Sequence, residues 1–121
     1  MRKKIIFFDI DGTLFSSQIG YVTDRVKRAV RSAQDKGYLC FIATGRTFGF
    51  IPQEIQSMGF DGYVCANGSF LLYHDQVLYC HYIPEEDVRL LYLHLKRKNL
   101  ECDLQGERNT AIDRENKKLI Q

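Results

Sequence analysis

The sequence predicts an α/β fold: a parallel sheet with flanking helices, followed by a further helix and two short strands. Three observations carry this reading. Ile5-Ile6-Phe7-Phe8 is an unbroken apolar run that stops at two acids, Asp9 and Asp11. Short uninterrupted runs of this kind suit strands buried on both faces, as in parallel α/β sheets. An amphipathic helical pattern then separates this run from a second one, Tyr38 to Ala43. Strand, helix and strand in that order make a βαβ unit. Finally, successive strands end in polar corners containing glycine, and open α/β sheets bind their ligands at that end.

Taken in order, the first strand delivers Asp9 and Asp11. In extended chain, residues i and i+2 share a face, so both carboxylates can enter one small volume. Two carboxylates held together repel, and a divalent cation such as Mg²⁺, which prefers oxygen ligands, would relieve this. Gly12 permits a sharp turn and offers a backbone N–H to an anion. Phe15 to Tyr21 is a polar connection. Thr23 caps the next helix, with Asp24 in its first turn. Val22, Val26, Ala29, Val30 and Ala33 form its apolar stripe, and Gly37 ends it. Arg25, Lys27, Arg28 and Arg31 lie off that stripe, as a solvated face. The second strand ends in Thr44-Gly45-Arg46. A hydroxyl, an amide and a guanidinium there can all address a phosphate.

Phe48 to Met58 reads as one helix with Ile51, Ile55 and Met58 on one face and Pro52 near its start. Gly62 to Ala66 is a third strand, ending in Asn67-Gly68-Ser69. Asn-Gly is also the common two-residue hairpin turn, so Asn67 has a turn reading beside a substrate-facing one. Ser69 to Tyr73 and Gln76 to Cys80 flank His74-Asp75 as a hairpin, suited to a sheet edge or hinge. Pro84-Glu85-Glu86-Asp87 opens a further helix with Val88, Leu91, Tyr92 and Leu95 as its buried stripe. Leu100–Leu104 and Asn109–Ile112 are strands joined through Gly106. Asp113 to Gln121 is a polar, charged tail.

The totals exclude several classes. At 121 residues, 45% hydrophobic and 26% charged, the chain is ordinary globular material. A net charge of +2 is too small to argue for nucleic acid or a membrane surface. No apolar run approaches the roughly 18 residues of a membrane span, and none resembles a secretory leader. Cys40, Cys65, Cys80 and Cys102 contain no Cys-x-x-Cys pair, and His74, His81 and His94 are dispersed. A zinc site is not expected; free thiols in a cytoplasmic protein are.

Asp9-Ile10-Asp11-Gly12-Thr13-Leu14 resembles the first motif of the haloacid dehalogenase-like (HAD) phosphohydrolases. Ala43-Thr44-Gly45-Arg46 is similar to the second. Asn67-Gly68 after a third strand, then a helix and strands, resembles the Cof-like branch with its α/β (C2-type) cap. The resemblance implies a partial Rossmann-like core over residues 1–81 and the beginning of a cap over 82–121. It implies Mg²⁺ as cofactor, with Asp9 and Asp11 as its ligands, Asp11 through its backbone carbonyl. It also implies Asp9 as a nucleophile that becomes an aspartyl-phosphate and Asp11 as acid and base. Thr44 and nearby amides, Gly12 and Gly45 among them, would hold the phosphoryl oxygens. Arg46 and Asn67 are candidates for substrate contacts, and the partner would be a small phosphorylated metabolite.

Two family motifs normally follow the cap, a lysine and a Gly-Asp-x-x-Asn-Asp segment. Neither occurs in these residues; Lys117 and Lys118 follow no core-strand pattern. The expectation is therefore an incomplete sheet with an exposed apolar edge, weak Mg²⁺ binding, and self-association. An alternative is a non-catalytic remnant or interaction module that pairs through that edge. A phosphoacceptor domain that keeps its aspartyl-phosphate as a signal also begins with acids after a first strand, but the Asp-Gly-Thr-Leu continuation argues against it.

Overall fold

The computed structural model describes residues 2–112 of the chain. The tail from 113 onward, expected to be polar, lies outside the described residues. Five strands form one mixed sheet: β1 (Ile5–Phe8), β2 (Leu39–Ala43), β3 (Gly62–Cys65), β4 (Phe70–Tyr73) and β5 (Gln76–Cys80), ordered as numbered. β1, β2 and β3 are parallel, while β4 and β5 run antiparallel to their neighbours. Two-residue periodicity then sorts the side chains by face. Cys40, Ile42, Tyr63, Cys65, Phe70 and Leu72 point into the core. There they meet Val22 from the loop just before the first helix, Val30 from that helix, and Ile51, Ile55 and Phe60 from the segment after β2. Burial pushes the Cys65 thiol up to about 11.

The opposite face carries an aromatic row set by register. Phe7 pairs with Phe41, Phe41 with Gly62, and Gly62 with Tyr73. Phe41 stacks on Tyr73 with ring centroids 5.7 Å apart and planes at 11°. Gly62 makes this possible, since a Cβ there would lie 2.2 Å from the Phe41 ring.

β1 departs from the sequence expectation. It was read as buried on both faces, yet Ile5 is 48% and Phe7 56% exposed. The reason is position: among the described residues β1 is an edge strand, paired on one side only, with β2.

α1 (Asp24–Asp35) starts as its sequence predicts, with Thr23 Oγ1 accepting from Val26 N–H. Gly37 adopts φ +83° just past its end, the left-handed conformation that glycine takes without penalty. Lys27 leaves the solvated face to pair with Glu54 at 2.9 Å. The single helix expected over 48–58 is instead a 3-10 turn (Phe48–Phe50) and a short α2 (Gln53–Gln56). Pro52 explains the break: it disfavours helical backbone in the residue before it, and Ile51 is extended at φ −78°, ψ 122°.

Asn67-Gly68 is not a two-residue hairpin turn. Cys65 pairs with Phe70, so residues 66–69 together form the β3–β4 connection. The β4–β5 turn is His74-Asp75, with φ +44° and +64°, the hand that matches strand twist.

α3 (Glu85–Arg97) has three acids in its first turn and basic residues in its last, as its charges predict. Its stripe is not buried: Leu91 is 52% exposed, and Val88, Tyr92 and Leu95 are half-buried. β6 (Asp103–Gln105) and β7 (Thr110–Ile112) make a separate antiparallel hairpin. Its turn docks on the 3-10 segment, where Gly49 N–H donates to Glu107 O at 2.9 Å and Arg108 lies 5.1 Å over the Phe48 ring. Tyr82 Oη donates to Glu107 Oε1 at 2.6 Å. Glycine is required at 49, where a Cβ would sit 2.5 Å from the Arg108 carbonyl oxygen.

Candidate active site

The site begins where β1 stops. Asp9 follows the strand directly, and its Oδ1 accepts from the Ile10 N–H at 2.8 Å. That bond fixes one carboxylate oxygen by local geometry. Ile10 is fully buried and anchors the turn: the amides of Thr13, Leu14 and Phe15 all bond its carbonyl. Gly12, at φ +80°, completes the reversal. Its N–H, expected to face an anion, is instead donated to Phe15 O at 2.9 Å. None of these turn amides bonds the Asp11 carbonyl.

β2 brings the second corner alongside, because Phe8 and Ile42 are register partners. Thr44 is buried, and its Oγ1 accepts from the Arg46 N–H at 3.1 Å. With that acceptor role filled, the hydroxyl proton is available to an oxygen in front of Asp9. β3 adds the third corner: Ala66 N–H donates to Arg46 O at 2.8 Å, and Asn67 N–H to Thr44 O at 3.3 Å. Asn67 is left-handed at φ +54°, ψ +35°. Its side-chain oxygen lies 3.0 Å from where a Gly45 Cβ would stand, so Gly45 makes room for it.

Arg46 does something the sequence does not disclose. Its Nε and Nη2 grip the two Asp11 carboxylate oxygens at 3.0 and 2.7 Å. Nη1 donates to Phe50 O at 3.1 Å, and the guanidinium lies 5.5 Å over the Phe15 ring. This fork holds the Asp11 carboxyl below its ordinary range, first by hydrogen bonding and then by the Arg46 charge, with burial opposing. The same pairing raises Arg46.

A cavity of about 570 Å³ opens in front of these residues, walled by Asp9, Asp11, Thr44, Gly45, Arg46, Thr47 and Phe50 on the core side. Asp103, Gln105 and Thr110 of the β6–β7 hairpin form its other wall. A second opening of about 400 Å³ shares Asp9, Thr44 and Gly45 and extends to Asn67. Six of the seven residues expected from sequence therefore converge here, and Gly12 shapes the turn beneath them. Thr47 and the three hairpin residues were not anticipated; no short motif marks them.

The full span agrees with a known family. Residues 6–121 match the haloacid dehalogenase-like hydrolases. The chain belongs to that family. It is 32% identical over 91 residues to YkrA of Bacillus subtilis (strain 168), a match that takes in 75% of this chain and 35% of YkrA. Among solved structures it is similar to the HAD phosphatase BT1666 of Bacteroides thetaiotaomicron, with TM-score 0.80, 26% identity and coverage of 93% and 42%. It is also similar to BT4131, a HAD subclass IIB sugar phosphatase, with TM-score 0.76, 32% identity and coverage of 89% and 43%. The chain thus spans well under half the length of these relatives.

No three Asp, Glu, His or Cys side chains come together as a metal site among the described residues. The donors at the HAD corner are nonetheless of the right kind. The Asp9 carboxylate and the Asp11 carbonyl are hard oxygens that suit Mg²⁺, which keeps several waters when few protein ligands are supplied.

Proposed function

We propose that this chain carries the phosphoryl-transfer corner of a Mg²⁺-dependent HAD phosphomonoester hydrolase. The observation that supports this most is the convergence of Asp9, Asp11 and Thr44, from two adjacent parallel strands, on one cavity. In this reading Asp9 attacks phosphorus with the carboxylate oxygen not held by Ile10 N–H, forming an aspartyl-phosphate as the alcohol departs. Asp11 gives the departing oxygen its proton and later takes one from the attacking water. The Thr44 hydroxyl donates to a phosphoryl oxygen where charge develops. Mg²⁺, held by Asp9 and the Asp11 carbonyl, would offset repulsion between carboxylate and phosphate. Residues 82–121 are taken as the beginning of a cap. The substrate class is a small phosphorylated metabolite.

The test is phosphate release from a generic aryl phosphate with Mg²⁺, together with intact-mass detection of a phosphoryl adduct after acetyl phosphate treatment. Asp9→Asn is expected to abolish both. An adduct that persists in Asp9→Asn would overturn the assignment of the nucleophile.

A second reading is favoured by the exposed Ile5 and Phe7 on a strand edge that is unpaired among the described residues. In it the chain is a self-associating module without turnover, and Asp9→Asn changes nothing.

A further inference from the structure

The β6–β7 hairpin carries one wall of the cavity, yet among the described residues neither of its strands pairs with the main sheet. Its hold on the core is made at its turn, and that hold gathers on Glu107. The Glu107 backbone carbonyl accepts from the Gly49 N–H of the 3-10 segment at 2.9 Å. Its carboxylate oxygen Oε1 accepts from Tyr82 Oη at 2.6 Å and lies 3.6 Å from Cys80 Sγ. Cys80 ends β5 and Tyr82 follows it two residues later. His81, between them, is fixed to the core by its N–H, which donates to Ser69 O at 2.8 Å. One residue of the turn is thereby tied to the core floor by its backbone and to the linker by its side chain. The bond to the carboxylate is charge-assisted, which makes it the stronger kind.

The seam beneath the turn works against docking. Thr47 Oγ1 is sealed from solvent and has no hydrogen-bond partner among the described residues, and the same is true of Thr110 Oγ1. Thr47 lies on the seam itself: it lines the large cavity and also a narrow one of about 50 Å³ shared with Gln105, Gly106 and Glu107. A buried hydroxyl without a partner costs the free energy of its lost hydration. Lifting the turn would return water to the seam, so the docked hairpin is held by a balance, with the Glu107 contacts on one side of it.

We propose that Glu107 is a clasp with two ends, and that its bond to Tyr82 sets whether the wall of Asp103, Gln105 and Thr110 stands over the cavity. Tyr82 acts through the hairpin and away from the acids, as a positioning residue. This holds whatever chemistry the acids perform.

Hydrogen exchange of the full chain, followed by NMR, tests this, because the Gly49 N–H is itself one end of the clasp. The Thr44 amide, which donates to Val64 O at 2.9 Å between β2 and β3, serves as the reference. Gly49 is expected to be protected in the wild type. Tyr82→Phe should speed its exchange about five-fold, the scale of one hydrogen bond, and leave Thr44 unchanged. Glu107→Ala should speed it at least as much, and the double variant no more than Glu107→Ala alone, since the two residues share one bond. Thr47→Val removes an unmet hydroxyl at nearly constant shape and should slow Gly49 about three-fold. An unprotected Gly49 in the wild type, an exchange rate unmoved by Tyr82→Phe, or single effects that multiply in the double variant would each overturn the clasp. So would a Thr44 amide that accelerates as much as Gly49, because the loss would then be global. Faster Gly49 exchange in Thr47→Val would overturn the balance at the seam.

Discussion

Asp11 has two claims on it. Its carboxylate is the proposed proton carrier, but in this structure both oxygens are held by Arg46. Arrival of a phosphate would compete for the guanidinium, so the same arginine can orient the acid at rest and release it on binding. Carboxyl-carbon NMR should show Asp11 titrating below the reference value of 3.8 in the wild type. Arg46→Met should bring it back up to the usual carboxylate range; an unchanged midpoint would mean that the fork does not exist in solution. The sign follows from linkage. A depressed carboxyl adds stability above its unfolded value and loses it as pH falls through the folded one. Asp11 is largely exposed, so solvent screening keeps that contribution small. The Asp9–Thr44 convergence was legible in the sequence because each residue follows its own apolar run. The Arg46–Asp11 fork was not, because it joins residues 35 apart and depends on how two corners sit side by side.

At the level of elements, local signals were dependable where one residue decides the backbone. Thr23 capped its helix, and Gly37 ended it. Pro52 divided a segment whose apolar spacing alone read as continuous. Burial was less legible, because periodicity shows which residues could be covered and not what covers them. β1 and α3 are both apolar enough for a core, and both are partly exposed. The aromatic row makes a sharper prediction. Gly62→Ala would drive a methyl into the Phe41 ring and against the Leu72 carbonyl, 2.7 Å from the added Cβ. Overpacking of this kind costs about 1–3 kcal/mol. Chemical denaturation should therefore show a lower midpoint with little change in slope. A variant as stable as the wild type would mean that the ring can move aside.

For the molecule as a whole, the uncovered edge governs behaviour. Among the described residues, β1 has backbone groups unpaired on one side with Ile5 and Phe7 beside them, a template for pairing with another strand. Sedimentation should detect concentration-dependent association of this chain, and Phe7→Ser should reduce it. Association of equal strength in Phe7→Ser would place the contact elsewhere. The site itself is one-sided in the same sense: Thr44, Arg46 and Asn67 all approach Asp9 from the β2 and β3 side.

The contact at Gly49 has a consequence for the entrance. The hairpin rests on a residue with no side chain, gripped by one backbone bond and an arginine over Phe48. Any larger residue at that position would act as a doorstop, prising the roof from the floor several residues away from the acids. How far the hairpin stands from the core is thus tied to a missing methyl group.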